Sequence, residues 1–253
     1  MKKLILKIDS ILLFGFLKFF VKKIIYCFNK FKINNNSFVN KIYFDDHQNL
    51  LSELCEKYGS DKGFINLNTK KNYSWNSHTY STFYDDLFSH CKENINLVFE
   101  CGIGSNNEKL ASNMTEEGKP GASLRVWKDY FKNANIYGAD IDKDILFQEE
   151  RINTFYVDQL NNESIKNMWD KIKISNFDII IDDGLHTLES GIILFENSFD
   201  KLRKDGVYII EDVKYSYFSS LMNHLKKFNP RGVELIYNKK NYFDNNLIMI
   251  KKK

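Results

Sequence analysis

Leu97-Val98-Phe99-Glu100-Cys101-Gly102-Ile103-Gly104 is the stretch that decides the fold of this 253-residue chain. Three apolar residues run into a glutamate, and two glycines follow at alternate positions. Such a run reads as a buried strand ending at Glu100, after which glycine lets the backbone turn tightly and approach a ligand. A turn of this build cradles a nucleotide-like cofactor at a strand end. A dinucleotide fingerprint calls for a third glycine three residues beyond the second, and Asn107 stands there instead. Glycines at strand ends also serve as plain turns, so the surrounding pattern has to decide.

Working outward, strands are expected at 97–101, 135–141, 151–157, 177–182 and 206–212, with helices at about 122–132, 162–173 and 188–203. Alternating strands and helices indicate a parallel sheet covered on both faces. Val233–Tyr237 and Leu247–Ile250 are β-rich and joined by the turn-prone 241–246, which predicts a terminal antiparallel hairpin. Upstream, residues 48–58 have helical spacing and end at Gly59, and Tyr84, Leu87 and Phe88 mark another helix.

Composition fits one α/β domain and an appendage, with 43% apolar residues for a single core. A net charge of +3 is mild and implies no nucleic-acid partner. Cys27, Cys55, Cys91 and Cys101 show neither metal-binding spacing nor a disulfide framework, which points to reduced thiols and a cytoplasmic protein. Residues 1–40 form a separate basic, amphipathic helical extension, and 41–253 form the main domain. In the extension Lys3, Lys7, Lys18, Lys22 and Lys32 share one helical face, opposite Phe14, Leu17, Phe20, Val21, Ile24 and Phe28, with Asp9, Lys23 and Lys30 breaking the separation. Its longest charge-free run, Ser10–Leu17, is far short of the roughly 20 residues that span a bilayer. No signal-peptide cleavage site follows. A helix of this kind suits an anionic membrane surface, as a peripheral contact on the cytoplasmic face, or packing on the domain or on a second subunit in a homo-oligomer. The sequence leaves both open.

In open parallel sheets, ligands sit beyond the carboxyl ends of the strands. Glu100, Asp140 and Asp158 fall at three successive strand ends, with Gln159 beside the last. Asp140 is placed to accept hydrogen bonds from ribose hydroxyls, and Asp158-Gln159 lies at the height of an adenine. Further on, Asp182-Asp183-Gly184-Leu185-His186 follows the fourth strand and Glu211-Asp212 ends the fifth. Four carboxylates and a histidine thus meet at one sheet edge. Like charges that close repel unless a proton or cation joins them, and oxygen donors suit Mg²⁺ or a similar hard ion.

The Glu-x-Gly-x-Gly form resembles the first motif of the class I S-adenosylmethionine-dependent methyltransferases. A subgroup is marked by Gly118-Lys119-Pro120-Gly121-Ala122-Ser123-Leu124-Arg125-Val126-Trp127-Lys128, at the end of an unusually long segment, Ser105–Gly121, that separates Gly104 from the next helix. Gly59-Ser60-Asp61-Lys62-Gly63, His78-x-Tyr80, Asp158-Gln159, 181–186 and Ile210-Glu211-Asp212 match in order. Together they resemble the macrolide-sugar O-methyltransferases and relatives from bacterial surface-polysaccharide (capsule) clusters, over roughly residues 50–215. The resemblance implies a Rossmann-like fold with a mostly parallel seven-stranded sheet and a C-terminal antiparallel hairpin. It implies S-adenosylmethionine held by Glu100, Gly102, Gly104, Ser123, Asp140, Asp158 and Gln159. It also implies Mg²⁺ on Asp183, Glu211 and Asp212, with His186 as general base and a small glycan-related acceptor. Two other readings stay open: a nicotinamide-dependent oxidoreductase, and a non-catalytic membrane-associated assembly protein with this fold. Asn107 and the hairpin count against the first, and the intact Asp183, His186, Glu211 and Asp212 against the second.

Overall fold

The computed structural model describes residues 39–44, 46–64, 71, 73–238 and 245–253. The helical extension expected over 1–40 lies outside the described residues except for Val39 and Asn40, which open a strand. The described strands are β1 Val39–Phe44, β2 Leu97–Cys101, β3 Asn135–Asp140, β4 Gln148–Glu149, β5 Ile152–Tyr156, β6 Phe177–Asp182, β7 Leu202–Ile210, β8 Gly232–Asn238 and β9 Asn246–Lys251. They form one sheet in the order β1-β8-β9-β7-β6-β2-β3-β5-β4. β2, β3, β5, β6 and β7 run parallel, while β9 lies antiparallel between β7 and β8.

All seven expected strands are present, and the sheet gains one strand at each edge. β1 pairs parallel with β8, and the two-residue β4 pairs antiparallel with β5. An edge strand needs pairing on one side only, so it can form from a short stretch with little pattern to read.

The helices are α1 Leu50–Tyr58, α2 Ser81–Phe88, α3 Ala122–Tyr130, α4 Asn162–Ile172, α5 Leu188–Ser198 and α6 Phe218–Leu225. Successive strand side chains point to opposite faces, and the core divides accordingly. On one face Val98, Ile136, Ile179 and Ile209 pack under Leu51, Tyr84, Leu124 and Trp127 of α1, α2 and α3. On the other, Phe99, Tyr137, Ile180 and Tyr208 pack under Trp169, Phe195 and Leu225 of α4, α5 and α6. Edge-on aromatic packing anchors the first layer, with Tyr84 and Trp127 centroids 4.9 Å apart, and Phe99 and Trp169 meet at 4.6 Å in the second. Each fully buried large side chain contributes about 1.5–3 kcal/mol.

β2 is also fixed at its start. The Asp178 carboxylate, inside β6, accepts the backbone N–H groups of Asn96 and Leu97 at 2.8 and 2.9 Å. Arg203 Nε donates to its other oxygen at 2.5 Å. A buried acid is tolerable there because three donors satisfy it.

Helix α5 stops at Ser198, earlier than its apolar spacing predicts, and β7 begins at Leu202 instead of 206. Asp205-Gly206, a turn signal in sequence, forms an irregularity inside the strand: pairing with β6 jumps from Phe177↔Leu202 to Ile179↔Val207. Asp205 takes the left-handed conformation at φ 59°, which a short polar side chain tolerates.

Candidate active site

A cavity of about 540 Å³ opens at the carboxyl ends of β2, β3, β5 and β6, a volume suited to a cofactor and a small acceptor. Its floor is the turn after β2. Gly102 and Gly104 have φ of 86° and 83°, values that favour glycine. A Cβ on Gly102 would lie 2.1 Å from the Asp183 carbonyl oxygen. One on Gly104 would meet Met114 Cε at 2.1 Å. The glycines therefore bring the loop after β6 and the long 105–121 segment onto the turn. That segment remains irregular: Met114 N donates to Ser105 O, and 110–115 line the cavity.

Asp140, at the end of β3, pins the turn. Its Oδ2 accepts from Ile103 N and its Oδ1 from Asp142 N, both at 2.9 Å. Burial pushes its carboxyl up from the usual range, and these backbone donors work against that shift. Each oxygen keeps a lone pair for a ligand hydroxyl. Asp158, Gln159 and Ser123 also line the cavity. Gln159 is engaged as well: Nε2 donates to Asp182 Oδ1 at 2.6 Å, and Oε1 accepts from Leu185 N at 2.9 Å. It thereby joins the ends of β5 and β6. Burial raises the Asp182 carboxyl to about 6.

Glu100 is placed differently from the other cofactor candidates. It is fully buried, with Trp127 Nε1 donating to Oε2 at 2.9 Å and Lys62 Nζ at 3.3 Å from Oε1. Its carboxylate supports the turn from behind. The pairing with Trp127 also explains why the tryptophan stands in the Ser123–Lys128 run.

The catalytic candidates converge across the cavity. Asp183, His186 and Asp212 can each offer one ligand atom, all within 4.8 Å of one another. Two carboxylates and an imidazole at that separation fit a divalent cation. His186 Nε2 lies 3.8 Å from Asp212 Oδ2, and His78 Nδ1 lies 3.1 Å from Asp212 Oδ1. Tyr80 OH also donates to Asp212. His186 and Asp212 both have left-handed backbones, at φ 56° and 53°. Such strain in residues other than glycine costs about 1–3 kcal/mol and concentrates at functional sites.

Glu211, the remaining metal candidate, stands outside that trio. Its Oε2 is 2.5 Å from Lys62 Nζ, and Tyr84 OH donates to Oε1. Lys62 also lies 2.5 Å from Asp183 Oδ2, so one buried ammonium faces Glu100, Asp183 and Glu211. Burial alone would lower its pKa, but the three carboxylates outweigh burial and hold it well above the usual lysine value. Sequence reasoning assigned no role to Lys62, His78 or Tyr80, although their motifs were visible. Their partners Asp183, Glu211 and Asp212 lie more than a hundred residues away, beyond the reach of any local pattern.

The parallel sheet closed by a hairpin, with this glycine turn and these acidic strand ends, defines a class I methyltransferase domain. No family model matches the chain. Its relatives are sugar O-methyltransferases. It is 32% identical over 168 residues to the 8-demethyl-8-alpha-L-rhamnosyl tetracenomycin-C 2'-O-methyltransferase of Streptomyces olivaceus, covering 66% of this chain and 39% of the relative. It is 34% identical over 169 residues to the demethylmacrocin O-methyltransferase of Streptomyces fradiae, covering 66% and 37%. The chain thus spans less than two-fifths of the length of these relatives. The MycE methyltransferase of the mycinamycin pathway, solved in complex with Mg and SAH, superposes with a TM-score of 0.58 at 25% identity. That match covers 82% of this chain and 56% of MycE.

Proposed function

We propose that this protein is an S-adenosylmethionine-dependent, cation-assisted O-methyltransferase acting on a sugar hydroxyl, in the biosynthesis of a surface polysaccharide. The observation that carries the proposal is the convergence of Asp183, His186 and Asp212 on the wall of the cavity that the Gly102–Gly104 turn and Asp140 line. S-adenosylmethionine supplies the methyl group, and a divalent cation supplies Lewis-acid polarisation of the acceptor oxygen. Asp140, Asp158 and the glycine turn orient the donor. Asp183 and Asp212 present carboxylates for the cation, with Glu211 offering the lone pairs that Lys62 and Tyr84 leave free. His186 would take the acceptor proton, and the methyl group would pass from the sulfonium of S-adenosylmethionine to the freed oxygen, leaving S-adenosylhomocysteine. Orienting the two substrates supplies much of the rate.

The test is methyl transfer from labelled S-adenosylmethionine with mass detection. Acceptors would be nucleotide sugars, glycosylated polyketides and extracts of a methylation-deficient strain. Transfer to a polysaccharide precursor supports the full proposal, and transfer to a glycosylated polyketide moves the acceptor to the antibiotic sugars of the relatives. NAD-linked oxidation without methyl transfer rejects it. Chelation is expected to abolish turnover, with MgCl₂ or MnCl₂ restoring it. Full turnover in chelator would reject the cation and leave the role of His186 standing.

For residues 1–32 we propose a peripheral contact with the cytoplasmic membrane face, supported by the opposed lysine and Phe/Leu/Ile faces. No helix among the described residues is long and apolar enough to cross a membrane. Each lysine near an anionic surface contributes about 1 kcal/mol, and salt screens it. Binding to phosphatidylserine liposomes should fall with ionic strength and with Lys18, Lys22 and Lys23 changed to Glu. A protein that ignores liposomes yet dissociates or aggregates when truncated at about residue 38 would identify the segment as a packed helix.

A further inference from the structure

Lys62 touches the ends of three strands at once. It is 3% exposed, and its ammonium lies 3.3 Å from Glu100 near the end of β2, 2.5 Å from Asp183 after β6 and 2.5 Å from Glu211 after β7. It comes from the Gly59–Gly63 turn that ends α1, far from all three in sequence. Gly59 itself is left-handed at φ 81°, and both Gly59 N and Ser60 N donate to Cys55 O, so the turn that aims Lys62 is fixed to its helix. Ser81 N donates to Lys62 O and fastens the other side to α2. A buried ammonium held this firmly is a built feature, because a charge in a low-dielectric interior survives only when paired.

We infer that Lys62 is a positioning residue whose fixed positive charge limits cation affinity, keeping the site assembled when empty and its ion exchangeable when filled. The inference rests on the reading of Asp183, Glu211 and Asp212 as cation-binding groups. Two of these three carboxylates are direct partners of Lys62. Without a counter-charge, Glu100, Asp183 and Glu211 would repel one another and spread, and the site would form only around an ion. With Lys62 present the carboxylates hold their places unaided. The same ammonium competes with an incoming cation for Asp183 and Glu211 and repels it. The expected consequence is an ion that binds weakly to a preformed site.

The experiment is calorimetric titration of the full chain with MgCl₂ and MnCl₂, with Mn²⁺ binding also followed by electron paramagnetic resonance. It compares wild type with Lys62→Met, Lys62→Gln and Lys62→Arg. Both neutral variants are expected to bind Mn²⁺ at least tenfold more tightly than wild type, and Lys62→Arg to stay within about threefold of it. Lys62→Gln keeps a hydrogen-bond donor among the carboxylates, so it carries the test if Lys62→Met does not fold, with thermal melts reporting folding. A purely structural lysine would give folded neutral variants with unchanged or weaker Mn²⁺ affinity, and that result overturns the inference alone. Absence of Mn²⁺ and Mg²⁺ binding by wild type would remove the cation reading and this inference together.

Discussion

His186→Ala is expected to lower turnover about 10²–10⁴-fold, the usual worth of a positioned general base, while S-adenosylhomocysteine still binds within a few-fold of wild type. The expectation follows from position. His186 lies in the loop after β6, on the cavity wall, with Asp212 Oδ2 3.8 Å from its Nε2. Its left-handed backbone, φ 56°, turns the residue out of the path that leads into α5, whose own start is secured separately by the Thr187–Ser190 capping box. Removing the imidazole should therefore leave the helix, the turn after β2 and the donor pocket intact. A fall in kcat and kcat/KM together, with cofactor binding preserved, is the signature of an interaction made in the transition state. Turnover within twofold of wild type would eliminate His186 as the base and direct attention to His78, the other imidazole on Asp212.

Gly102→Val is expected to abolish measurable S-adenosylhomocysteine binding, a loss of at least a hundredfold. Two costs combine at that position. A β-branched residue at φ 86° is strained, at about 1–3 kcal/mol. Its Cβ would also fall 2.1 Å from the Asp183 carbonyl oxygen, backbone that cannot yield as a flexible side chain can. The turn and the loop after β6 would have to separate, opening the cavity floor and displacing Asp183 with it. Asp140→Ala is the companion experiment, since it removes the acceptor for Ile103 N and Asp142 N without a clash. It should weaken binding about tenfold or more, the loss of one to two hydrogen bonds to a charged group. Calorimetry measures both. Tight NAD binding with no response to S-adenosylhomocysteine would overturn the proposed cofactor.

Residues near one another in the chain made the architecture legible. The run from Leu97 to Gly104 placed β2 and its turn, and the alternation through 212 placed the parallel strands to within a few residues. The tail read correctly as a hairpin. Those features follow from local physics: strand burial, glycine conformation and the two- and 3.6-residue periodicities. The misplaced start of β7 has the same origin, because Asp205-Gly206 is a turn signal locally and an in-strand irregularity once β6 and Arg203 hold it.

Local patterning in the chain was enough to specify the sheet, its topology class and the gathering of Asp140, Asp158, Asp183, His186 and Asp212 at one edge. Parallel strands all deliver their carboxyl ends to the same side, so residues at those ends must meet. Packing across the fold sets what each group faces. It turned Glu100 inward to Trp127 and Lys62, gave Gln159 to Asp182, and set Lys62 between Glu100, Asp183 and Glu211. These pairings join segments separated by 23 to 149 residues. They arise because a buried charge or amide must find a partner of opposite character, and the partner is whichever group the packed layers bring within about 3 Å.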